Sequence, residues 1–461
     1  MRTLADVPAA FPPDRVAVVH GGERWTFGEL DARSTAWAGA LRHRGVGPDD
    51  LVAYALPNGP EFLALTFGIY RAGATPAPLS PKLPPIERDA ILAAMQPRLY
   101  LGVGEVPGAD RLPAAPTHHV AAAWKACTSG GSTGTPKVIV DGRSAQFDEG
   151  TDFIGIPADA VAMVPGPLYH NAPFSAAIFA LWRGSAVVTM ERFDADAALS
   201  IIERERVQWA LMVPTMMHRI YTLPPERRAG HDLSTWQMVV HTAAPMAQWL
   251  KRAWIEWRGA DHIWEVYGAT EGLVRCWIGG REWLDRPGSV GRPIGGARIR
   301  VLNDAMQDVP PGTVGEIFAL PASGPRSTYR YIGAERRADA GGWESVGDCG
   351  WVDDEGYLFL TDRRNDLIIS GGVNIWPAEV EAALLRHRAV RSCAVIGRPD
   401  DELGQAVHAI VESAEPLTLA DMTEFLRDHL VPAKWPRSID VRTTAVRDDA
   451  GKFRKSEEAT R

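Results

Sequence analysis

Apolar residues in the first hundred positions fall into two alternating spacings. From Phe27, the run FGELDARSTAWAGALRHRGV places Leu30, Trp37, Ala40 and Leu41 near helical spacing, and Gly45 supplies a stop. LVAYAL, from Leu51, is a short unbroken apolar strand. EFLALTFGIYRAGA is a second apolar helix, ended by Gly73, and a proline-rich loop follows it. Strand and helix in this rhythm predict a parallel sheet with helices packed on its faces. Residues 104–122 read as a surface linker by composition. The alternation resumes at Val161 and runs to Glu316, where VGEIFALPA predicts antiparallel strands. No internal repeat interrupts it.

A boundary is expected near Asp362. Before it, WVDDEGYLFLTD predicts a hairpin around Asp354-Glu355-Gly356. After it come DLIIS, a turn at Gly371-Gly372, the helix PAEVEAALLRH, the strands RSCAVIGR and QAVHAIVES, and the helix LADMTEFLRDHL. The pattern therefore predicts an α/β chain in two parts. Residues 1–362 form a large domain of layered α/β subdomains with mixed sheets, and 363–461 form a small α+β domain, large enough to fold independently.

Composition narrows the class. The chain has 461 residues, 46% hydrophobic and 23% charged, which suits packed cores and excludes disordered or fibrous structure. A net charge of −8 argues against binding to nucleic acid or to an anionic membrane surface. Cys127, Cys276, Cys349 and Cys393 are far apart, which fits a reducing compartment and excludes a disulfide framework or structural zinc. Ala160 to Trp182 carries no charged residue, but Pro165, Pro167, Pro173, His170 and Asn171 would break and polarise a spanning helix. It reads as buried strand, loop and helix, with no membrane insertion. The first residues lack a signal-peptide core, so the cytoplasm is the expected location. Seven lysines stand against 42 arginines, which makes each lysine position conspicuous.

The strongest local signal is TSGGSTGTPKV, residues 128–138. Its glycines let the backbone turn tightly and bring N–H groups to an anion, its hydroxyls add donors, and Lys137 adds charge. A Walker A loop is excluded, because Pro136 precedes Lys137 and Val138 follows it. The segment resembles the phosphate loop of the adenylate-forming superfamily, which holds acyl-CoA synthetases, adenylation domains and luciferases. Further motifs follow in that family's order: LYHNAPF (168–174) resembles its substrate gate and YGATEG (267–272) its nucleotide motif. VGDCGWVDDEGYLFLTDR (346–363) resembles its ribose motif, DLIISGGVNIWPAEVE (366–381) its post-hinge loop, and AGKFRK (450–455) its C-terminal lysine motif.

The resemblance implies that a carboxylate is joined to the α-phosphate of ATP, releasing pyrophosphate, before the acyl group passes to a thiol. Two anions meet in the first step, so positive charge and dipoles must screen them. Ser129, Gly131, Ser132, Thr133, Gly134 and Lys137 are implied at the phosphates. Glu271 is implied at magnesium, for which a hard oxygen ligand is suited. Thr270 is implied at the α-phosphate, with Gly268 and Ala269 in the same turn. Tyr267 is implied on adenine, opposite Ala243, Ala244 and Pro245. Asp348 is implied at the ribose hydroxyls, as an acceptor for two donors, with Arg363 beside it. Lys452 is implied at the carboxylate and α-phosphate, and His170, Asn171 and Ala269 at the acid. Gly371 and Gly372 are implied to give the pantetheine of CoA room.

Asn171 stands where activators of α-amino acids carry aspartate, so an ammonium would lack its counter-ion. That favours an aryl, alicyclic or fatty acid. An equal alternative is that Asn171 caps the helix after it. The chain departs from the family pattern at Gly130, Val138 and Arg447-Asp448-Asp449, and the pivot of a mobile C-terminal domain falls on Asn365. The reading is an ATP-dependent carboxylate–CoA ligase using ATP, Mg2+ and CoA. A carrier protein or an amine as acceptor, and a catalytically inactive nucleotide-binding relative, are its alternatives. Monomer and homodimer both stay open.

Overall fold

A computed structural model describes residues 1–104, 119–129, 137–363, 366–448 and 451–453. Thr26 starts the first helix with a capping box: its hydroxyl accepts the Glu29 N–H at 3.2 Å, and the Glu29 carboxylate accepts the Thr26 N–H at 2.7 Å. The helix Phe27–His43 buries Leu30, Trp37, Ala38 and Leu41, whereas Ala40 is only half-buried. It packs on Pro60–Arg71, a helix buried along nearly its whole length. The two backbones approach so closely that a Cβ on Gly68 would lie 2.4 Å from that of Trp37. Leu51–Tyr54 pairs in parallel with Thr75–Pro78 and Leu99–Leu101, as the strand–helix rhythm predicts.

The largest sheet has fifteen strands. Its parallel part runs through Ala186–Thr189, Val161–Val164, Trp209–Met212, Met238–His241 and Ile263–Gly268. From Ile263–Gly268 it continues antiparallel through Arg275–Gly279, Ser289–Pro293, Leu358–Arg363, Asp348–Val352 and Gly315–Leu320. The uncharged stretch resolves into the strand Val161–Val164 and the helix Asn171–Trp182, interior from Pro173 onward. No described helix is long and apolar enough to cross a membrane.

A separate three-stranded antiparallel sheet joins Ala126–Ser129, Lys137–Asp141 and Tyr329–Ile332. Ser129 and Lys137 are register partners, so the two strands close on each other at this end, the hairpin mouth. The far end of the expected surface linker is part of the fold instead. Ala121 is buried and the Ala122 N–H donates to Asp49 at 2.7 Å, while 105–118 lie outside the described residues.

The C-terminal part has its own five-stranded sheet and its own core, including Ile368, Ile375, Val395, Val407, Met422 and Leu426. Ser438–Arg442, which the periodicity does not signal, joins it parallel to Gly404–Glu412. Its helices are shorter than their apolar patterns suggest, ending at Leu384 and Leu426.

Candidate active site

Three clusters of the sequence-marked residues meet at the ends of these sheets. At the hairpin mouth, Lys137 Nζ lies 3.3 Å from Glu271 Oε1 and 3.3 Å from the Tyr331 hydroxyl. Tyr331 donates to the same Glu271 oxygen at 2.5 Å. Burial and then the Glu271 charge push the Tyr331 phenol far above its ordinary range, so it remains a donor. Glu271 is buried in the turn after Ile263–Gly268, which also carries Gly268, Ala269 and Thr270. Its charge is thus matched by a cation and a hydroxyl before any ligand arrives. Gly131, Ser132, Thr133 and Gly134 lie outside the described residues, and Ser129 is placed by its backbone alone.

The second cluster suits a nucleoside. Tyr267 donates to Asp348 Oδ2 at 2.8 Å, tying the implied adenine and ribose contacts together. Asp348 is the register partner of Arg363, and a bulge follows at Cys349/Gly350. Only glycine fits that bulge, since a Cβ on Gly350 would lie 2.2 Å from the Phe359 carbonyl oxygen. Ala243, Ala244 and Pro245 follow the C-terminal end of a parallel strand, the edge where open α/β sheets bind ligands. Ala243 holds φ at +76°, a left-handed conformation that costs a residue with a Cβ about 1 kcal/mol. Beneath this loop sit three buried ionisable groups. Lys251 donates to Glu265, and His241 Nε2 lies 3.6 Å from Glu265 Oε2. Desolvation drives His241 down to about 4, although Glu265 opposes it.

The third cluster faces the C-terminal part. His170, in extended backbone, is the residue that precedes the helix Asn171–Trp182, so Asn171 is its first residue and not its cap. The capping alternative is thereby set aside. The Asn171 carboxamide oxygen instead accepts a hydrogen bond from Lys125, whose ammonium also donates to Ser175 at 2.9 Å. His170 Nε2 lies 3.8 Å from Asp448 Oδ2, and Asp448 Oδ1 accepts the Lys452 N–H at 2.8 Å. A Cβ on Gly451 would sit 3.3 Å from Thr215 Oγ1, so the lysine loop lies against the larger domain. The buried Cys127 thiol is pushed up by desolvation, and the charges of Lys125 and Lys452 oppose that rise.

Two further bonds hold this arrangement: His218 Nε2 meets the Leu385 carbonyl at 3.2 Å, and Trp249 Nε1 donates to the Ala382 carbonyl at 3.2 Å. Gly371 and Gly372 lie between the strands Ile368–Ser370 and Val373–Ile375. They form an exposed turn at φ +55° and +79°, with the Gly371 N–H bonded to the Leu403 carbonyl of the same domain. Asn365 lies outside the described residues, and Arg363 is placed only by strand register.

Residues 5–126 and 113–325 match the family model of the AMP-binding enzymes, and 379–452 match that of the AMP-binding enzyme C-terminal domain. The chain belongs to the AMP-binding enzyme family. A feruloyl-CoA synthase of Amycolatopsis sp is 33% identical, covering 97% of this chain and 96% of that protein. A fatty acid–[acyl-carrier-protein] ligase of Streptomyces coeruleorubidus is 28% identical, covering 97% and 94%. The o-succinylbenzoate CoA synthetase of Bacillus subtilis, solved with its acyl-adenylate intermediate, superposes with a TM-score of 0.79 at 25% identity over 98% of this chain and 97% of that one.

Sequence reasoning missed two members of this AMP-binding enzyme's site. Lys125 carried a usable signal, since it is one of only seven lysines and interrupts an apolar segment next to the phosphate loop. Tyr331 carried none, because its relation to Glu271 arises only when Tyr329–Ile332 pairs with Lys137–Asp141.

Proposed function

We propose that the protein is an ATP-dependent carboxylate–CoA ligase working through an acyl adenylate. The observation that carries this reading is the lysine loop: Asp448 holds the Lys452 backbone beside His170, on the side of the cleft where the acid is expected. There the Lys452 ammonium bridges the incoming carboxylate and the α-phosphate, offsetting the repulsion between two anions. The carboxylate oxygen attacks the α-phosphorus, the bond to the β-phosphate bridging oxygen breaks, and pyrophosphate leaves. Thr270 donates to the α-phosphate, Asp348 accepts from the ribose hydroxyls, and Tyr267 packs on adenine against Ala243–Pro245.

The residues fit magnesium: Glu271 is a buried hard-oxygen ligand, and no described group of three or more ligating side chains competes with an ion that prefers phosphate oxygens and water. Bound there, magnesium would neutralise phosphate charge, and Lys137 would turn from Glu271 to the phosphates. In the second half-reaction the sulfur of CoA attacks the acyl carbon and AMP leaves with the bonding pair. We assign the small mobile domain to residues 363–461, its pivot to Asn365 and the enzyme to the cytoplasm. The substrate is an acid without an α-ammonium; the likeness to a feruloyl-CoA synthase supports an aryl acid first.

Acid-dependent ATP–pyrophosphate exchange across aryl, alicyclic and fatty acids tests the first half. Lys452→Ala should cut it about a hundredfold, or ~3 kcal/mol, with the fold intact. Full exchange in that variant removes the lysine from its role. Acid, ATP and CoA together should yield AMP and an acyl-CoA detected by mass. Adenylate that accumulates until a carrier protein or an amine is added overturns CoA as acceptor.

A further inference from the structure

Lys125 is the least expected residue of the cleft. It lies in the apolar segment leading into Ala126–Ser129, with only 4% of its surface exposed. Burying an ammonium is costly unless its hydrogen bonds are met. Its partners are the Asn171 carboxamide oxygen, Ser175 Oγ at 2.9 Å and the Trp124 ring, whose centroid is 4.1 Å away. Asp141 is 4.0 Å from it and does not require it. That carboxylate already takes both nitrogens of the Arg143 fork at 2.9 and 2.8 Å and the Arg143 N–H at 3.0 Å. The lysine is therefore directed at the start of the helix Asn171–Trp182, where Asn171 and Ser175 share one face.

An ammonium can only donate, so the carboxamide atom facing it is the oxygen. The NH2 end is left pointing away. Asn171 is half-buried, and among the described residues its NH2 has no hydrogen-bond partner. Its neighbour His170 lies 3.8 Å from Asp448, which holds the backbone of the lysine loop. Asn171 is thus joined on one side to the buried lysine and adjoins, through His170, the loop that carries Lys452.

We propose that Lys125 is a positioning residue that locks the Asn171 carboxamide with its donor end toward the acid. The cleft then selects acids with a hydrogen-bond acceptor near the carboxylate and rejects acids with an ammonium there. This deepens the reading of the cleft as a carboxylate-activating site and rests on it. An aspartate at position 171 would not admit an ammonium by itself, because Lys125 would neutralise it. Counter-charge for an amine needs both changes.

The test is acid-dependent pyrophosphate exchange with the best acid and with its α-amino analogue. Exchange by the unaltered enzyme decides the underlying reading separately. Lys125→Met should raise the KM for the acid about tenfold, with the KM for ATP within about twofold. Lys125→Gln, which keeps a donor for the Asn171 oxygen, should recover most of that loss. Asn171→Asp should still reject the amine, and Lys125→Met combined with Asn171→Asp should use it about tenfold better than either single variant. An unchanged acid KM in Lys125→Met overturns the proposal. So does amine use by Asn171→Asp alone, which needs no variant at Lys125 to fold.

Discussion

Acid should destabilise the nucleotide-binding half of this enzyme in part through one residue, His241. Its ring is fully buried at the end of Met238–His241, and neither ring nitrogen has a hydrogen-bond partner among the described residues. Desolvation lowers its pKa from 6.5 to about 4, against the pull of Glu265. In the unfolded chain the imidazole protonates near 6.5, whereas the folded one stays neutral. Between those values the unfolded state binds the extra proton, so stability is complete above 6.5 and falls as pH drops toward 4. At pH 5 the loss from this one group is about 2 kcal/mol, from ~1.4 kcal/mol for each unit between 6.5 and 5. Glu265, also held low, adds a loss of the same sign only further into acid. Urea unfolding can be followed by tryptophan fluorescence, since Trp236, Trp254 and Trp283 share a buried core with Val239 of the strand that ends at His241. The native protein should lose about 2 kcal/mol more than His241→Gln between pH 7.5 and pH 5. Equal losses in the two proteins would refute the reasoning.

Three further outcomes are expected. Ala243→Gly should stabilise the protein by about 1 kcal/mol in the same urea assay, since glycine accepts φ of +76° without strain; destabilisation would show that the loop is not strained. Tyr267→Phe should raise the KM for ATP about fivefold, the ~1 kcal/mol of a hydrogen bond to Asp348, without raising that for the acid; an equal rise in both would break the assigned link. Asn365→Pro should hold pyrophosphate exchange within about tenfold while slowing acyl-CoA formation from isolated adenylate much more, and equal effects on both would move the pivot elsewhere.

What was legible in the sequence was local. Apolar spacing marked the helices Phe27–His43 and Pro60–Arg71, and the glycine pair marked the turn at Gly371-Gly372, because each is decided by residues within one or two turns of each other. Glu271, Asp348 and Lys452 stand in short motifs, so the sequence alone singles them out as candidates. Pairings across distance were not. The Tyr331–Glu271 bond spans 60 residues and the Lys125–Asn171 bond 46, and neither end of either pair carries a periodic signal. Ser438–Arg442 escaped notice because its five half-buried residues mix Ile and Val with Ser, Asp and Arg. Asn171 could equally be read as a cap until the structure showed a lysine under it.

The bonds from His218 and Trp249 bear on timing as well as on stability. Both end on carbonyls at the C-terminal end of the helix Pro377–Leu384, where the backbone lacks partners of its own. If the small domain turns about Asn365, those oxygens must find water, and the two bonds together resist by about 2 kcal/mol. That is a thirtyfold bias toward the orientation seen here, ~1.4 kcal/mol being tenfold. On that motion the contact would work as a mechanical detent: it would hold one stop while pyrophosphate departs, yet be weak enough for thermal motion to clear.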